Sequence, residues 1–259
     1  MHNISRHQKW IPLESDPEIL SKYVHALGLS PKLGFHDVLS ISDPELLSFV
    51  PRPVEALLLA FPVTNAYENY RVNADKGREL YLGENPVDGE VMWFRQTIGN
   101  ACGTMGVIHS VFNGDVPSYL RILSEIPVFL ILESNTPFAN IYEKAKAMNT
   151  AQRAELLEES NDLEAAHTSF SRQGQTQAPQ LDEEVEHHYV ALVKHRDPKT
   201  GKLMLYELDG RRLGPVQRGG IPDDEDLLGP TALKVMDEFI IREQENGKFS
   251  LVALAPSYD

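Results

Sequence analysis

Tyr189-Val190-Ala191-Leu192-Val193-Lys194, a glycine at 201, then Leu203-Met204-Leu205-Tyr206-Glu207-Leu208 is the stretch on which the fold turns. Both runs are β-branched or aromatic and of strand length, so they are predicted as a hairpin turned at Gly201. Phe249 to Ala255 adds a third strand, and Leu57 to Phe61, apolar throughout, adds a buried one. Working outward, the first half reads helical. Asp16-Pro17-Glu18 supplies an N-cap, a first-turn proline and an acid ahead of Ile19, Leu20, Tyr23, Val24 and Leu27, and Gly28 ends that helix. Asp43-Pro44 opens a short second helix closed by Pro51 and Pro53. Asp115 with Pro117 starts a third carrying Tyr119, Leu120, Ile122 and Leu123, and Thr136-Pro137 starts a longer one running towards Glu159. Thr231 to Glu245 is a late helix stopped by Gly247. Helices early and antiparallel strands late define an α+β fold with one shared sheet. From about Asn161 to Glu184 the chain is polar and without period, which reads as a long loop, either a functional lid or disorder.

The 259 residues carry no internal repeat, and one domain spanning 1–259 is the simplest organisation. With 42% hydrophobic and 24% charged residues the chain can bury a sizeable core. A net charge of −14 excludes a nucleic-acid partner held by phosphate contacts. That charge serves solubility or a basic partner. The longest apolar stretches, Ala56 to Val63 and Ile126 to Leu132, fall far short of the roughly 20 residues of a membrane span. The first ten residues lack the apolar centre of a signal peptide, so a cytoplasmic location, with the nucleus as a second compartment, is expected.

Cys102 is the sole cysteine, which leaves packing or chemistry as its role and rules out an internal disulfide. It stands in Gln96-Thr97-Ile98-Gly99-Asn100-Ala101-Cys102-Gly103-Thr104-Met105-Gly106-Val107-Ile108-His109, where a glycine-punctuated turn runs into an apolar helix. A helix N-terminus presents unpaired amides and partial positive charge, which favour a thiolate. Gln96, six residues upstream, can fold back over the thiol as an oxyanion donor; alone it reads as a solvated loop glutamine. Nine histidines compete as base. His109 lies about 10.5 Å along the same helix and cannot reach. His25 reads as an ordinary helical histidine, His2, His7 and His36 sit in polar or terminal context, His167 falls in the loop, and His195 beside Arg196 reads as exposed. His187 and His188 remain, at the start of a strand, with side chains on opposite faces. Tyr189 and Ala191 share one face with His187, Val190 and Leu192 the other with His188, and periodicity does not choose between them. Asp209, ending the next strand, can hold the outer nitrogen of such a histidine, or simply start a turn before Gly210.

The nucleophile block Gln96–Thr104 resembles that of the ubiquitin C-terminal hydrolases (peptidase family C12). His188-Tyr189-Val190-Ala191 and Leu205-Tyr206-Glu207-Leu208-Asp209-Gly210-Arg211 resemble the family's histidine and aspartate blocks, in the same chain order. Trp10-Ile11-Pro12-Leu13-Glu14-Ser15-Asp16-Pro17-Glu18 and Asp43-Pro44-Glu45-Leu46-Leu47 through Val50-Pro51-Arg52-Pro53 match the family's beginning. The first nine residues, the extra His187 and the loop composition depart from the pattern. The resemblance implies a papain-like cysteine protease fold, with a central antiparallel sheet flanked by helical lobes, a knotted backbone, and the short single-domain branch. It implies Cys102 as nucleophile, His188 as base and proton donor, Asp209 as its orienting acid, Gln96 as oxyanion stabiliser, and no cofactor. The implied enzyme is a monomeric thiol protease and deubiquitinase whose partner is ubiquitin, acting in ubiquitin-dependent protein catabolism. It would release adducts from ubiquitin's C-terminal glycine through an acyl-enzyme. The span 161–184 corresponds to the family's active-site crossover loop. Its extended contour of about 80 Å would open a ring roughly 25 Å across, which restricts leaving groups to small adducts, short peptides or unfolded tails. Alternatives are a papain-like thiol hydrolase for another ubiquitin-like modifier, or a non-catalytic ubiquitin-binding protein. A zinc site of Cys102 with His187 and His188 lacks further thiols, and adjacent strand histidines diverge.

Overall fold

The computed structural model describes residues 9–83, 90–121, 136–174, 187–243 and 248–258. Helix α1 (Pro17–Leu27) begins as its sequence predicts, with the Asp16 carboxylate accepting from the amides of Glu18 and Ile19 at 2.8 and 2.9 Å. It buries Leu20, Tyr23, Val24 and Leu27. Strand β1 (Leu33–Asp37) and the single turn α2 (Pro44–Leu47) follow, then β2 (Ala56–Pro62) and α3 (Asn65–Asp75). Helix α4 (Cys102–Val111) is succeeded by a 3₁₀ turn at Val116–Tyr119, then α5 (Pro137–Ala145), α6 (Thr150–Glu158) and α7 (Asn161–Ser171). The second half holds β3 (His187–Arg196), β4 (Leu203–Leu208), β5 (Val216–Gly220), α8 (Pro230–Arg242) and β6 (Ser250–Pro256).

The six strands form one antiparallel sheet in the order β1-β6-β2-β3-β4-β5, so the last strand is inserted between the first two. Strand β2 is central. It is apolar at successive positions because both faces are covered. Ala56, Leu58 and Ala60 join Tyr189, Ala191, Val252 and Leu254 in one core with α1 and α4. Leu57, Leu59 and Phe61 join Val190, Leu192 and Ala253 in the other, against Val235, Met236 and Phe239 of α8. Helix α4 lies tight on the first face because of its glycines: a Cβ on Gly106 would sit 2.4 Å from Leu58 Cδ1.

Several expectations are corrected. Strands β1 and β5 and helix α3 carried no signal that stood out. The helix expected from Thr136 to Glu159 is two, because Asn149 leaves the helical conformation and starts α6 with a reciprocal cap to Gln152. The helix expected at Asp115 is only the 3₁₀ turn; Ile122 and Leu123 lie outside the described residues. Asn161–Ser171, expected as loop, is helical. The Ser160 hydroxyl accepts from the Leu163 amide at 3.3 Å, and Leu163, His167 and Ser171 form a buried stripe at every fourth position. The rest of that span, 175–184, lies outside the described residues, as does Gly247.

Candidate active site

Cys102 is the first residue of α4, and no side chain caps that end, so no side-chain oxygen competes for the helix's first amides. The thiol is buried, and its Sγ lies 3.8 Å from the carbonyl oxygen of His187. This puts it at the first residue of β3. Strand β4 pairs with β3 only from Ala191↔Leu208 onward. Past Leu208 the two strands part, and side chains from both meet where the ladder has ended. There His188 Nε2 bonds Asp209 Oδ1 at 2.8 Å, with the two side chains 2% and 1% exposed. Because Asp209 takes Nε2, the nitrogen left for the thiol is Nδ1, and the imidazole interacts with Cys102 by charge and hydrogen bonding. His187 itself is exposed.

Burial opposes a charge on His188, but the Asp209 carboxylate, with a smaller contribution from Cys102, reverses this and the imidazole is pushed up to about 9. Burial likewise opposes ionisation of Asp209. The charge of His188 and bonds from His188, the Tyr67 hydroxyl and the Arg211 amide outweigh it and hold the carboxyl well below its ordinary range. The Trp93 indole donates to the Asp209 carbonyl at 3.1 Å. Gln96 is tied to the same turn, its backbone N–H donating to Gly210 O at 2.9 Å. A Cβ on Gly210 would lie 2.9 Å from Gln96 Cβ, so this approach requires glycine. The Gln96 side chain donates to Ile98 O at 3.1 Å, and its buried Oε1 has no partner among the described residues. The four residues singled out in sequence thus share one locality: Cys102, His188 and Asp209 as neighbours, Gln96 through the Asp209-Gly210 turn.

A family model described as ubiquitin carboxyl-terminal hydrolase, family 1, matches residues 10–241. The chain belongs to that family. It is a cysteine-type ubiquitin hydrolase. A ubiquitin carboxyl-terminal hydrolase of Aplysia californica is 38% identical over 238 residues, covering 92% of this chain and 98% of that protein. Isozyme L1 of Equus caballus is 35% identical over 246 residues, covering 94% and 96% respectively. The fold is that of the catalytic domain of Trichinella spiralis UCH37 bound to ubiquitin vinyl methyl ester, with a TM-score of 0.68 at 22% identity and 96% of each chain covered.

Elsewhere in this hydrolase three other histidines are buried and held by hydrogen bonds. His109 is fully buried in α4, its Nε2 facing the backbone of Phe94 at 3.1 and 3.2 Å, and burial lowers it to about 4. His167, expected in a loop, is buried in α7. Its Nδ1 meets Thr104 Oγ1 at 2.7 Å and its Nε2 meets Ile11 O at 2.6 Å; burial lowers it too to about 4, against the opposing pull of that carbonyl. His36, expected in polar context, is buried in β1 and bonded to Pro256 O at 2.9 Å. Sequence reasoning missed Tyr67 and Trp93, because a single aromatic residue outside a motif carries no mark of what it will touch.

Proposed function

We propose that this hydrolase removes small adducts, short peptides and unfolded tails from the C-terminal glycine of ubiquitin through an acyl-enzyme on Cys102. The Cys102 thiolate attacks the glycine carbonyl carbon, and the oxyanion is held by the Gln96 side-chain amide and the Cys102 backbone amide. His188, protonated at Nδ1 and held at Nε2 by Asp209, gives its proton to the leaving nitrogen or oxygen as that bond breaks. The neutral imidazole then takes a proton from water, which attacks the thioester carbon and releases the ubiquitin carboxylate and the thiol. The observation that carries this reading is the buried 2.8 Å His188–Asp209 bond beside the chain's sole cysteine.

The restriction to small leaving groups is strengthened by α7. Helix formation from Asn161 to Ser171 takes that length out of any loop passing over the thiol. The negative charge of the chain suits a basic ubiquitin face, and acids in Glu155 to Glu159, Asp182 to Glu186 and Asp223 to Asp226 could steer it, although Asp223, Glu225 and Asp226 are already bonded to Arg196, Thr231 and Arg52.

The test is ubiquitin carrying a fluorogenic C-terminal amide. Wild-type turnover should vanish in Cys102→Ser while ubiquitin binding persists, and hydrolysis retained by that variant refutes the assignment. Absence of turnover by the wild type, with rapid turnover of a ubiquitin-like modifier carrying the same amide, would move the substrate to that class.

A further inference from the structure

Helix α3 turns one face towards the segment that follows β4. Tyr67, Glu68, Arg71 and Asp75 lie on that face, at the helical spacing that brings every fourth residue together. Each reaches across. The Tyr67 hydroxyl donates to Asp209 Oδ2. Glu68 accepts from Arg211 Nη2 at 2.7 Å, and Arg71 donates to the Arg211 carbonyl at 3.3 Å. Asp75 accepts from Arg212 Nη2 at 2.8 Å and from the Leu213 amide at 3.1 Å. Gly210, the member of the segment that α3 does not hold, is the one bonded to Gln96.

We propose that Tyr67 is a positioning residue of the hydrolysis, its hydroxyl holding the second carboxylate oxygen of Asp209 so that the first stays aimed at His188. The proposal rests on the function assigned above. A carboxylate rotates broadly about its last torsion, so fixing one oxygen fixes the direction of the other. The Tyr67 ring is itself locked, 1% exposed, with its centroid 4.8 Å from that of Phe61 and 5.7 Å from that of His188. Its hydroxyl bonds Asp209 and its ring packs against that of His188, so it acts on the reacting atoms through those two side chains.

A buried tyrosine needs a partner for its hydroxyl in any case, so a purely structural role must be separated from a positioning one. In Tyr67→Phe the ring packing survives. The kcat on a fluorogenic ubiquitin amide should fall about 10- to 100-fold with KM within twofold. Cys102 alkylation by a small haloacetamide should lose its fast phase at a lower pH than in the wild type, since a loosened carboxylate holds the imidazolium less well. Alkylation needs no ubiquitin, so it tests this inference even if the proposed substrate is wrong. Arg71→Ala loosens the same helix face and removes a charge that Asp209 feels, but takes no hydrogen bond from the carboxylate, and should move both readouts far less than Tyr67→Phe does. Wild-type kcat and an unchanged alkylation limb in Tyr67→Phe, whatever its melting temperature, overturn the proposal. So does an equal loss in Arg71→Ala. Should Tyr67→Phe fail to fold, the wild type still decides: the Tyr67 hydroxyl proton is expected as a slowly exchanging resonance, and rapid exchange with water overturns the assignment.

Discussion

His188 and His109 are both fully buried, on β3 and on the α4 helix that packs against it, yet they titrate in opposite directions. Burial pushes both towards the neutral form. His109 meets backbone groups of Phe94 and Leu208 and falls to about 4; it also feels the Asp209 charge, too weakly to offset burial. His188 bonds that carboxylate directly and rises to about 9. Desolvation therefore sets the default for an imidazole in this core, and a carboxylate reverses it only at hydrogen-bond distance.

The most severe way to break the contrast is Asp209→Asn, which keeps shape and removes charge. The kcat/KM should fall roughly 10²- to 10⁴-fold, and a titration of the His188 ring protons by NMR should find its midpoint below 6.5. A midpoint still near 9 would mean that the carboxylate is not the cause. A smaller effect is expected at a neutral histidine. His167→Phe keeps the ring against Trp10, 4.3 Å away between centroids, but strips both nitrogens from Thr104 and the Ile11 carbonyl. Denaturant unfolding should report a loss of about 1 to 3 kcal/mol, with kcat near that of the wild type. The mildest effect is the pH dependence of stability. His188 is raised when folded, so its contribution is complete below about 6.5 and fades as pH climbs through about 9. His109 and His167 are lowered, so folding increasingly opposes their protonation as pH drops from about 6.5 to about 4. Unfolding free energy should accordingly peak near pH 6.5 and decline on both sides; a rise between 6.5 and 9 would contradict the pairing with Asp209.

Local signals carried much of the architecture. The Asp16-Pro17 start of α1, the wholly apolar β2 and the hairpin at Gly201 depend on residues close in sequence, and each formed as its pattern indicates. The Asn161–Ser171 helix was illegible because its stripe is Leu163, His167 and Ser171, only one of which is apolar. What buries His167 is its pair of bonds to Thr104 and Ile11, far away in the chain.

The choice between His187 and His188 shows where periodicity ends. Helix α4 covers the face of Tyr189 and Ala191, which alternation shares with His187, so a rule based on faces alone would select the wrong neighbour. The resemblance to a family named His188, and it is His188 that bonds Asp209: β4 leaves β3 at Leu208, and the gap lets an imidazole from the opposite face reach that carboxylate.

Sequence alone determined the starts of α1, α2 and α5, the runs of β2, β3, β4 and β6, the lone thiol at a helix N-terminus and the family blocks around Gln96, Cys102, His188 and Asp209, because caps, period and motif are properties of neighbouring residues. Tertiary structure decided which histidine loses its water yet keeps its proton, and which tyrosine stands behind the acid. Those outcomes depend on burial and on contacts between residues as far apart in the chain as Tyr67 and Asp209, and no local pattern encodes either.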